Sequence, residues 1–164
     1  MTIRTFKPKT NIEEKLKELD YDHLPYEKMP PGSVIQVVQV INGSDTRITS
    51  TAVNFITTTI KPRYSSSNIL VMGNLAAVAS RSNTVSEGLF VLYRDGLSVA
   101  TFDGISPWNG TTDQRSVGSV SFQYIDKADT NEVISYSLNL RMSQGQTDIN
   151  DEGGISSLTL LEIK

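Results

Sequence analysis

The sequence predicts an all-β protein, a two-sheet jelly-roll sandwich preceded by an extended N-terminal arm that contains one short helix. Three observations support this fold class: many Ser and Thr beside Val and Ile, turn clusters at short intervals, and a charged, proline-rich start. Ser and Thr account for 35 of the 164 residues. This composition favours sheets, because β-branched side chains are stiff at χ1 and suit strands better than helices.

Eight strands are predicted after Gly32. They are separated by clusters typical of turns, such as Asn42–Asp45 and Asp151–Gly154. Asp95-Gly96, between two apolar segments, indicates a two-residue hairpin, because a type I′ turn requires positive φ at both positions. The predicted strands are Val34–Ile41, Ile48–Ile60 (broken), Asn68–Ala79, Leu89–Arg94, Leu97–Phe102, Ser116–Tyr124, Val133–Met142 and Ser157–Ile163.

Two of these strands differ in the spacing of their apolar residues. From Ile134 to Met142 every even position is apolar, which predicts a strand with one buried face and one solvent-exposed face. The segment Ile69–Met72 is apolar at four consecutive positions, as expected when both faces are covered. In a small sandwich such a strand indicates a subunit contact. The predicted subunit interface therefore consists of Ile69, Leu70, Val71 and Met72. Eight strands without a repeat favour a jelly roll, with an immunoglobulin-like sandwich as the alternative.

The chain divides into an arm, residues 1–31, and a β domain, residues 32–164. The arm contains 12 of the 33 charged residues and four of the six prolines. Proline restricts its own backbone and that of the residue before it, so this segment is not suited to a sheet. The arm is therefore treated as a separate unit.

A short amphipathic helix is predicted inside the arm. Asn11 can cap it, and Glu14 takes the capping-box position three residues later. Ile12, Leu16 and Leu19 fall at i, i+4 and i+7 and form one apolar stripe. Such a short helix is marginal alone, which favours a docking segment that orders on a partner surface, with a disordered terminus as the alternative. The predicted partner-binding residues are Ile12, Leu16, Leu19, Tyr21, Leu24, Tyr26 and Met29.

Composition narrows the possible classes further. A chain of this length fits one domain, and its formal charge of -3 argues against a general nucleic-acid binder. The absence of cysteine excludes disulfides, thiolate zinc sites and cysteine nucleophiles. No apolar segment approaches the ~20 residues of a membrane span, and the N-terminus does not resemble a secretory signal. We therefore expect neither nucleic acid, nor membrane, nor any cofactor as a partner.

The candidate catalytic and metal-binding residues have simpler explanations. His23 is the only histidine and lies in the charged arm, which disfavours a Ser-His-Asp triad or a histidine metal site. Asp148–Gly153 is similar to a calcium loop, but Thr159 occupies the twelfth position where an acid is needed. This segment is interpreted as a polar hairpin loop, with weak calcium binding as the alternative. The remaining carboxylates considered for glycoside hydrolysis lie in turn-like segments: Asp103, Asp113, Asp126 and Asp129.

Trp108 is a possible ligand-binding residue, because it is the only tryptophan and lies in a predicted loop. Its ring could stack on a sugar, or it could fill space at the end of the sandwich or at a subunit interface. We favour this second, structural role. No metal site and no catalytic constellation are predicted.

Several segments of the β domain form a recognisable set. They are Pro30–Val38, Lys61-Pro62, Ser66–Met72, Tyr93–Gly96, Ser121–Asp126 and Ser157–Ile163. Over about residues 30 to 164 this set resembles a β domain of tailed-phage virion proteins, particularly those of cyanobacterial phages. The resemblance implies a jelly roll that assembles as a homotrimer, found at tail-fibre ends and in small proteins that decorate or cement capsids. It includes no catalytic motif, and the arm has no counterpart in it.

The length of the chain favours a capsid protein over a fibre. A fibre normally carries a long shaft, and no heptad or β-helical repeat occurs here. A 31-residue arm reaches at most ~100 Å, enough to cross one or two neighbouring subunits. We expect a non-enzymatic cement or decoration protein of the virion, assembled in the host cytoplasm, whose trimer binds the major capsid protein or another virion protein.

Two other functions remain as alternatives. A tail-fibre tip would recognise host-surface glycan through loops around Trp108 or Asp148–Gly153. A sandwich-fold glycoside hydrolase would need a catalytic carboxylate, and no motif supports one.

Overall fold

The computed structural model describes residues 26–82, 87–105 and 114–164, and most of these residues lie in antiparallel strands. The all-β prediction is confirmed. Two short 3-10 turns, Tyr26–Lys28 and Asp151–Gly153, also occur in these ranges. The strands of the described ranges are β1 (Val34–Asn42), β2 (Thr46–Ile48), β3 (Val53–Ile60), β4 (Asn68–Ser82), β5 (Glu87–Arg94), β6 (Leu97–Ile105), β7 (Gln114–Lys127), β8 (Ile134–Gln144), β9 (Thr147–Ile149) and β10 (Ser156–Ile163).

The long strands form two sheets that pack face to face. A six-stranded sheet contains the order β1-β10-β4-β7, and the short strands β9 and β2 extend it from the far part of β4. A four-stranded sheet has the order β3-β8-β5-β6. Apart from the β5–β6 hairpin, each step from one long strand to the next crosses between the sheets. This connectivity is that of a jelly roll and differs from the immunoglobulin-like alternative.

The core lies between the sheets and is built from alternate residues of each strand. In β8 the even positions from Ile134 to Met142 are buried, while Arg141 is exposed, so the predicted alternation is confirmed. Full burial of a large apolar side chain contributes roughly 1.5–3 kcal/mol relative to exposure. The largest fully buried side chains are Tyr136, Ile48, Ile60, Ile69, Leu75, Leu92, Ile134, Leu138, Leu140, Ile149, Leu158 and Leu160.

The β5–β6 hairpin turns at Asp95 and Gly96, as the sequence predicts. Their φ values of 49° and 82° both lie in the left-handed region that this two-residue turn requires. The Asp95 carboxylate accepts a hydrogen bond from the Ser135 N–H at 2.9 Å, and the Asp95 N–H donates to the Ser135 carbonyl at 2.9 Å. These bonds fasten the turn to β8.

The segment after β8 does not form the predicted polar hairpin loop. Thr147–Ile149 forms strand β9, which lies between β4 and β2, and Asp148, Asn150 and Asp151 are buried. The prediction was wrong because it inferred exposure from polarity alone. Asp148 is instead paired with Arg47 of β2, whose Nε lies 2.8 Å from the Asp148 Oδ1.

Asn150 explains how this polar segment can be buried. Its backbone is left-handed, with φ of 63°, and its Nδ2 donates to the carbonyls of Asn42 at 2.8 Å and Ser44 at 3.1 Å. Its Oδ1 accepts a hydrogen bond from Ser156 Oγ at 2.6 Å. The side-chain amide is thereby paired at both ends, which removes most of the cost of burying it.

Candidate functional site

The outer face of the six-stranded sheet carries a continuous band of apolar side chains. Val37 of β1 pairs with Leu161 of β10, Leu161 pairs with Leu70 of β4, and Leu70 pairs with Ile125 of β7. We call these four residues the apolar row. It crosses four strands at right angles, and its two ends, Val37 and Ile125, are 58% and 64% exposed.

The apolar row follows from strand alternation and register. On each strand the neighbours of a row residue in sequence point inward, so the row residue itself must point outward. Antiparallel pairing then aligns the four outward residues in one line. Met72, 42% exposed, lies one step further along β4 and borders a shallow cavity of about 480 Å³ on the same sheet. The apolar surface is thus wider than the row alone.

On the four-stranded sheet, the outer face of β3 and β8 carries hydroxyl side chains instead of apolar ones. Thr57 and Thr59 of β3 are exposed and pair with Ser137 and Ser135 of β8. Hydroxyl side chains of this kind are well solvated, whereas a contiguous apolar patch commonly marks an interaction surface. The six-stranded sheet therefore presents the candidate interaction surface.

A second feature lies at the end of the sandwich, where residues 26–33 meet the end of β10. The Lys164 ammonium donates to the carbonyls of Tyr26 at 3.1 Å, Glu27 at 2.6 Å and Met29 at 2.8 Å. We call Lys164 with these three residues the arm clamp. The Gly32 N–H also donates to the Lys164 carbonyl at 2.7 Å. The clamp thus holds residues 26–29 against the end of β10.

A buried carboxylate, Glu162, lies on β10 two residues before Lys164. Its oxygens accept hydrogen bonds from Gln36 Nε2 at 2.6 Å, the Arg63 N–H at 2.9 Å and the Tyr64 N–H at 3.2 Å. Burial alone would raise the pKa of Glu162, but these bonds outweigh burial and hold it below its ordinary value. Arg63 also lies 4.0 Å from the centre of the Tyr26 ring.

Tyr64 lies beside Glu27 and Lys164 of the arm clamp. Burial, followed by the charge and hydrogen bond of Glu27, raises the pKa of Tyr64. The Lys164 ammonium lies 5.9 Å from the centre of the Tyr64 ring. A cavity of about 520 Å³ lies here, lined by Tyr26, Glu27, Gln36, Asn131 and residues 61–64 of the connection from β3 to β4.

Arg94, in the segment Tyr93–Gly96, ties the two sheets together. Its Nη1 donates to Asp126 Oδ2 at 3.0 Å and to the Lys127 carbonyl at 2.7 Å. The Tyr136 hydroxyl donates to the same Asp126 oxygen at 2.7 Å, and burial and this bond raise the pKa of Tyr136. The segment Tyr93–Gly96 thus has a structural role. Asp126, which was predicted to lie in a turn, instead accepts the hydrogen bonds that connect the two sheets.

The structure divides the four predicted interface residues between two faces. Ile69 and Val71 are fully buried in the chain's own core, whereas Leu70 and Met72 lie on the outer face. Only Leu70 and Met72 are therefore available for a contact between copies. The prediction treated the segment as covered on both sides, and in the single chain its outer side is open.

The arm residues are only partly within the described ranges. Tyr26 and Met29 are half-buried against their own domain. The ranges 26–82, 87–105 and 114–164 contain no group of three His, Asp or Glu side chains placed to hold a metal ion. No helix within them is long and apolar enough to cross a membrane. The remaining predicted residues lie outside the described residues: Ile12, Leu16, Leu19, Tyr21, His23, Leu24, Trp108 and Asp113.

Two features of the site were missed from the sequence. The apolar row joins residues from four strands, so it requires the register between them. Lys164 and Glu162 act through partners about 100 or more residues away. One signal in the sequence could have located part of the row. If Ile69 and Val71 point into the core, strand alternation makes Leu70 point outward.

Comparisons with known proteins show the fold. No protein-family model matches the sequence, and no curated protein matches it. The protein in the crystal structure of the T13 IBDV viral particle matches with a TM-score of 0.51 and 16% identity, over 78% of this chain and 31% of that chain. The infectious bursal disease virus Gx strain gives 0.49 and 14%, over 78% and 32%. The insecticidal delta-endotoxin Cry8Ea1 of Bacillus thuringiensis gives 0.37 and 10%, over 77% and 19%. This chain thus spans about a third or less of each of these proteins.

Proposed function

We propose that this chain is a structural protein of a virion and, within that class, a capsid cement or decoration protein. It binds the major capsid protein lattice as a homotrimer and stabilises the head. The apolar row carries this proposal, because a band of apolar side chains on one sheet face suits contact with other protein surfaces. The TM-score of 0.51 with the protein of a viral particle adds support, since that protein contains a region of similar fold.

The arm supplies the contact with the lattice in this proposal. The clamp holds its end, so the 25 residues before Tyr26 start from a defined point and can span up to ~85 Å when extended. Ile12, Leu16 and Leu19 provide the apolar stripe that needs a surface. Three arms per trimer on a repeating lattice would bind tightly by multivalency even if each arm binds weakly.

Binding to heads tests this proposal. Heads assembled without the chain are mixed with the full chain or with a variant that lacks residues 1–25 and keeps the clamp. We expect the full chain to sediment with the heads and the shortened chain to lose at least about tenfold in occupancy, which corresponds to ~1.4 kcal/mol. A matched control, Glu13→Gln with Lys17→Gln, keeps the stripe and should bind like the parent.

Two results would contradict the proposal in different ways. Equal decoration by the shortened chain would show that the arm is not the lattice contact. Failure of the full chain to bind heads, combined with adsorption to host cells through surface glycan, would instead identify the tail-fibre tip. Asp148 and Asn150 are buried and could not serve that tip as exposed ligand residues.

A further inference from the structure

Two cationic side chains lie two residues apart on the connection from β3 to β4. Lys61 and Arg63 are exposed, whereas Pro62 between them is buried, and both cations line the cavity of about 520 Å³ beside the arm clamp. We call Lys61 and Arg63 the cation pair. We propose that the cation pair binds carboxylate side chains of an acidic, extended segment of a neighbouring virion protein. The inference rests on the proposed function for the identity of the partner, and it adds a polar contact that is separate from residues 1–25.

The cation pair lacks a carboxylate partner within its own domain. In residues 26–82, 87–105 and 114–164, neither side chain forms an ion pair or donates a hydrogen bond. The Arg63 guanidinium lies 4.0 Å from the centre of the Tyr26 ring, and this contact orients it without using its N–H donors. The planar fork of an arginine matches the two oxygens of a carboxylate. Arg63 is therefore available to an acidic group from outside.

The two carboxylates of this region are already bonded within the domain. Glu162 accepts hydrogen bonds from Gln36 and from backbone N–H groups, and Glu27 is hydrogen-bonded to Tyr64. The Lys164 ammonium adds a further positive charge near the Tyr64 ring. The exposed positive charge of the cation pair thus favours an anionic ligand at this cavity.

The backbone that carries the cation pair is fixed on both sides of Pro62. Gln36 Nε2 donates to the Lys61 carbonyl at 2.7 Å and to Glu162 at 2.6 Å, and the Arg63 N–H donates to Glu162 at 2.9 Å. These bonds anchor the connection to β1 and β10. Groups that are held in place before binding lose less freedom when a ligand arrives. The buried Glu162 therefore positions the cation pair for its ligand.

The spacing of the cation pair suits an extended peptide. A residue before proline is restricted to extended backbone, so the Cα atoms of Lys61 and Arg63 are ~6.6 Å apart. Side chains at alternate positions of an extended partner segment lie on one side of it with the same spacing. Two acidic residues at such positions can therefore reach both cations. Arg63 also covers one face of the Tyr26 ring, which disfavours a sugar stacked there.

Fluorescence polarisation with a labelled peptide tests this site in the full chain. The peptide contains glutamate at alternate positions with serine between, and the control peptide contains glutamine in place of glutamate. We expect saturable binding of the acidic peptide and at least about tenfold weaker binding of the control. The affinity for the acidic peptide should fall as salt rises from about 20 mM to about 300 mM, because exposed ion pairs are screened.

Variants of the cation pair assign the binding to these residues. Lys61→Gln with Arg63→Gln should lose at least about tenfold in affinity for the acidic peptide. Arg141→Gln removes an exposed cation of β8 and should bind the peptide like the parent. Urea unfolding checks that both variants are folded. Lys61→Gln alone leaves Arg63 against Tyr26, and it should still lose about threefold.

The contradicting results separate this inference from the proposed function. Equal affinity for the two peptides, or for the parent and the double variant, would overturn the site. Binding of a glucuronic acid oligosaccharide without binding of the peptide would overturn the protein partner and identify an acidic glycan instead. If the acidic peptide does not bind while the full chain still decorates heads, this inference is wrong and the proposed function stands. Peptide binding by a chain that does not decorate heads would support the site and contradict the proposed function.

Discussion

Single polar side chains connect parts of this chain that are far apart in sequence. Arg94 joins the β5–β6 hairpin to the end of β7, and Lys164 joins the end of β10 to the last residues of the arm. Glu162 organises the backbone that follows β3 through bonds to the Arg63 and Tyr64 N–H groups. Charged groups that bond to backbone contribute more than neutral ones, so these residues hold the ends of the jelly roll.

Glu162→Gln tests this role through its pH dependence. A carboxyl group whose pKa is lower in the folded than in the unfolded protein stabilises the fold above its unfolded pKa, and this contribution is lost as the pH falls through the folded pKa. At pH 7 we expect the free energy of unfolding to fall by about 1–3 kcal/mol in the variant. The difference from the parent should begin to shrink below the ordinary Glu pKa of about 4.3, because the unfolded parent then takes up a proton, and it should vanish once the folded carboxylate is protonated as well.

Urea unfolding between pH 7 and pH 3 measures this difference. Glu132→Gln, which changes an exposed carboxyl, serves as the matched control and should behave like the parent throughout. A difference for Glu162→Gln that stays constant over the whole pH range would mean that its ionised form contributes nothing to stability.

At the scale of strands, the β4–β7 pair contains one position, Gly73, where the packing leaves no room for a side chain. Gly73 pairs with Phe122, and a Cβ added at Gly73 would lie 2.1 Å from an atom of the Phe122 ring. That ring also stacks on Phe102 of the other sheet, with 4.6 Å between the ring centres. The close approach of Phe122 to the backbone therefore helps to join the two sheets at this edge.

Gly73→Ala should accordingly destabilise the fold by about 1–3 kcal/mol, because the ring must move away from its stacked position. Gly118→Ala in β7 is the matched control: its added Cβ has no atom within 4 Å, and the change should stay within about 0.5 kcal/mol. Chemical unfolding of both variants gives the comparison. Equal effects at the two glycines would refute the packing described for Phe122.

The strands were predictable where their residues carry a local signal. Alternation identified β8, and Asp95-Gly96 identified the hairpin, because both patterns depend on neighbours in sequence. Strand β9 is only three residues long and lies in a polar segment, so it has no such pattern. The burial of Asn150 depends on the carbonyls of Asn42 and Ser44, more than 100 residues away.

The candidate site was less predictable than the strands for the same reason. The segment Ile69–Met72 was recognised as apolar on both faces, and Leu70 indeed belongs to the row. Its partners could not be chosen from the sequence, because a shift of one residue between strands would move every side chain to the opposite face.

For the whole molecule, the outer faces of the two sheets differ in chemistry, and Lys164 holds residues 26–29 in a defined position. One outer face carries the apolar row, and the other is lined with hydroxyl groups along β3 and β8. The clamp holds residues 26–29 at one end of the sandwich. The two outer faces therefore offer different surfaces, an apolar one on the six-stranded sheet and a solvated, hydroxyl-lined one on the four-stranded sheet.

A cryo-electron microscopy reconstruction of the virion proposed to contain this chain tests the central claim most directly. The account predicts groups of three jelly-roll domains on the outside of the head, each with arm density that leaves from the end where Lys164 holds Tyr26. Heads that lack these domains, or the same domain found at the end of a tail fibre, would contradict the account.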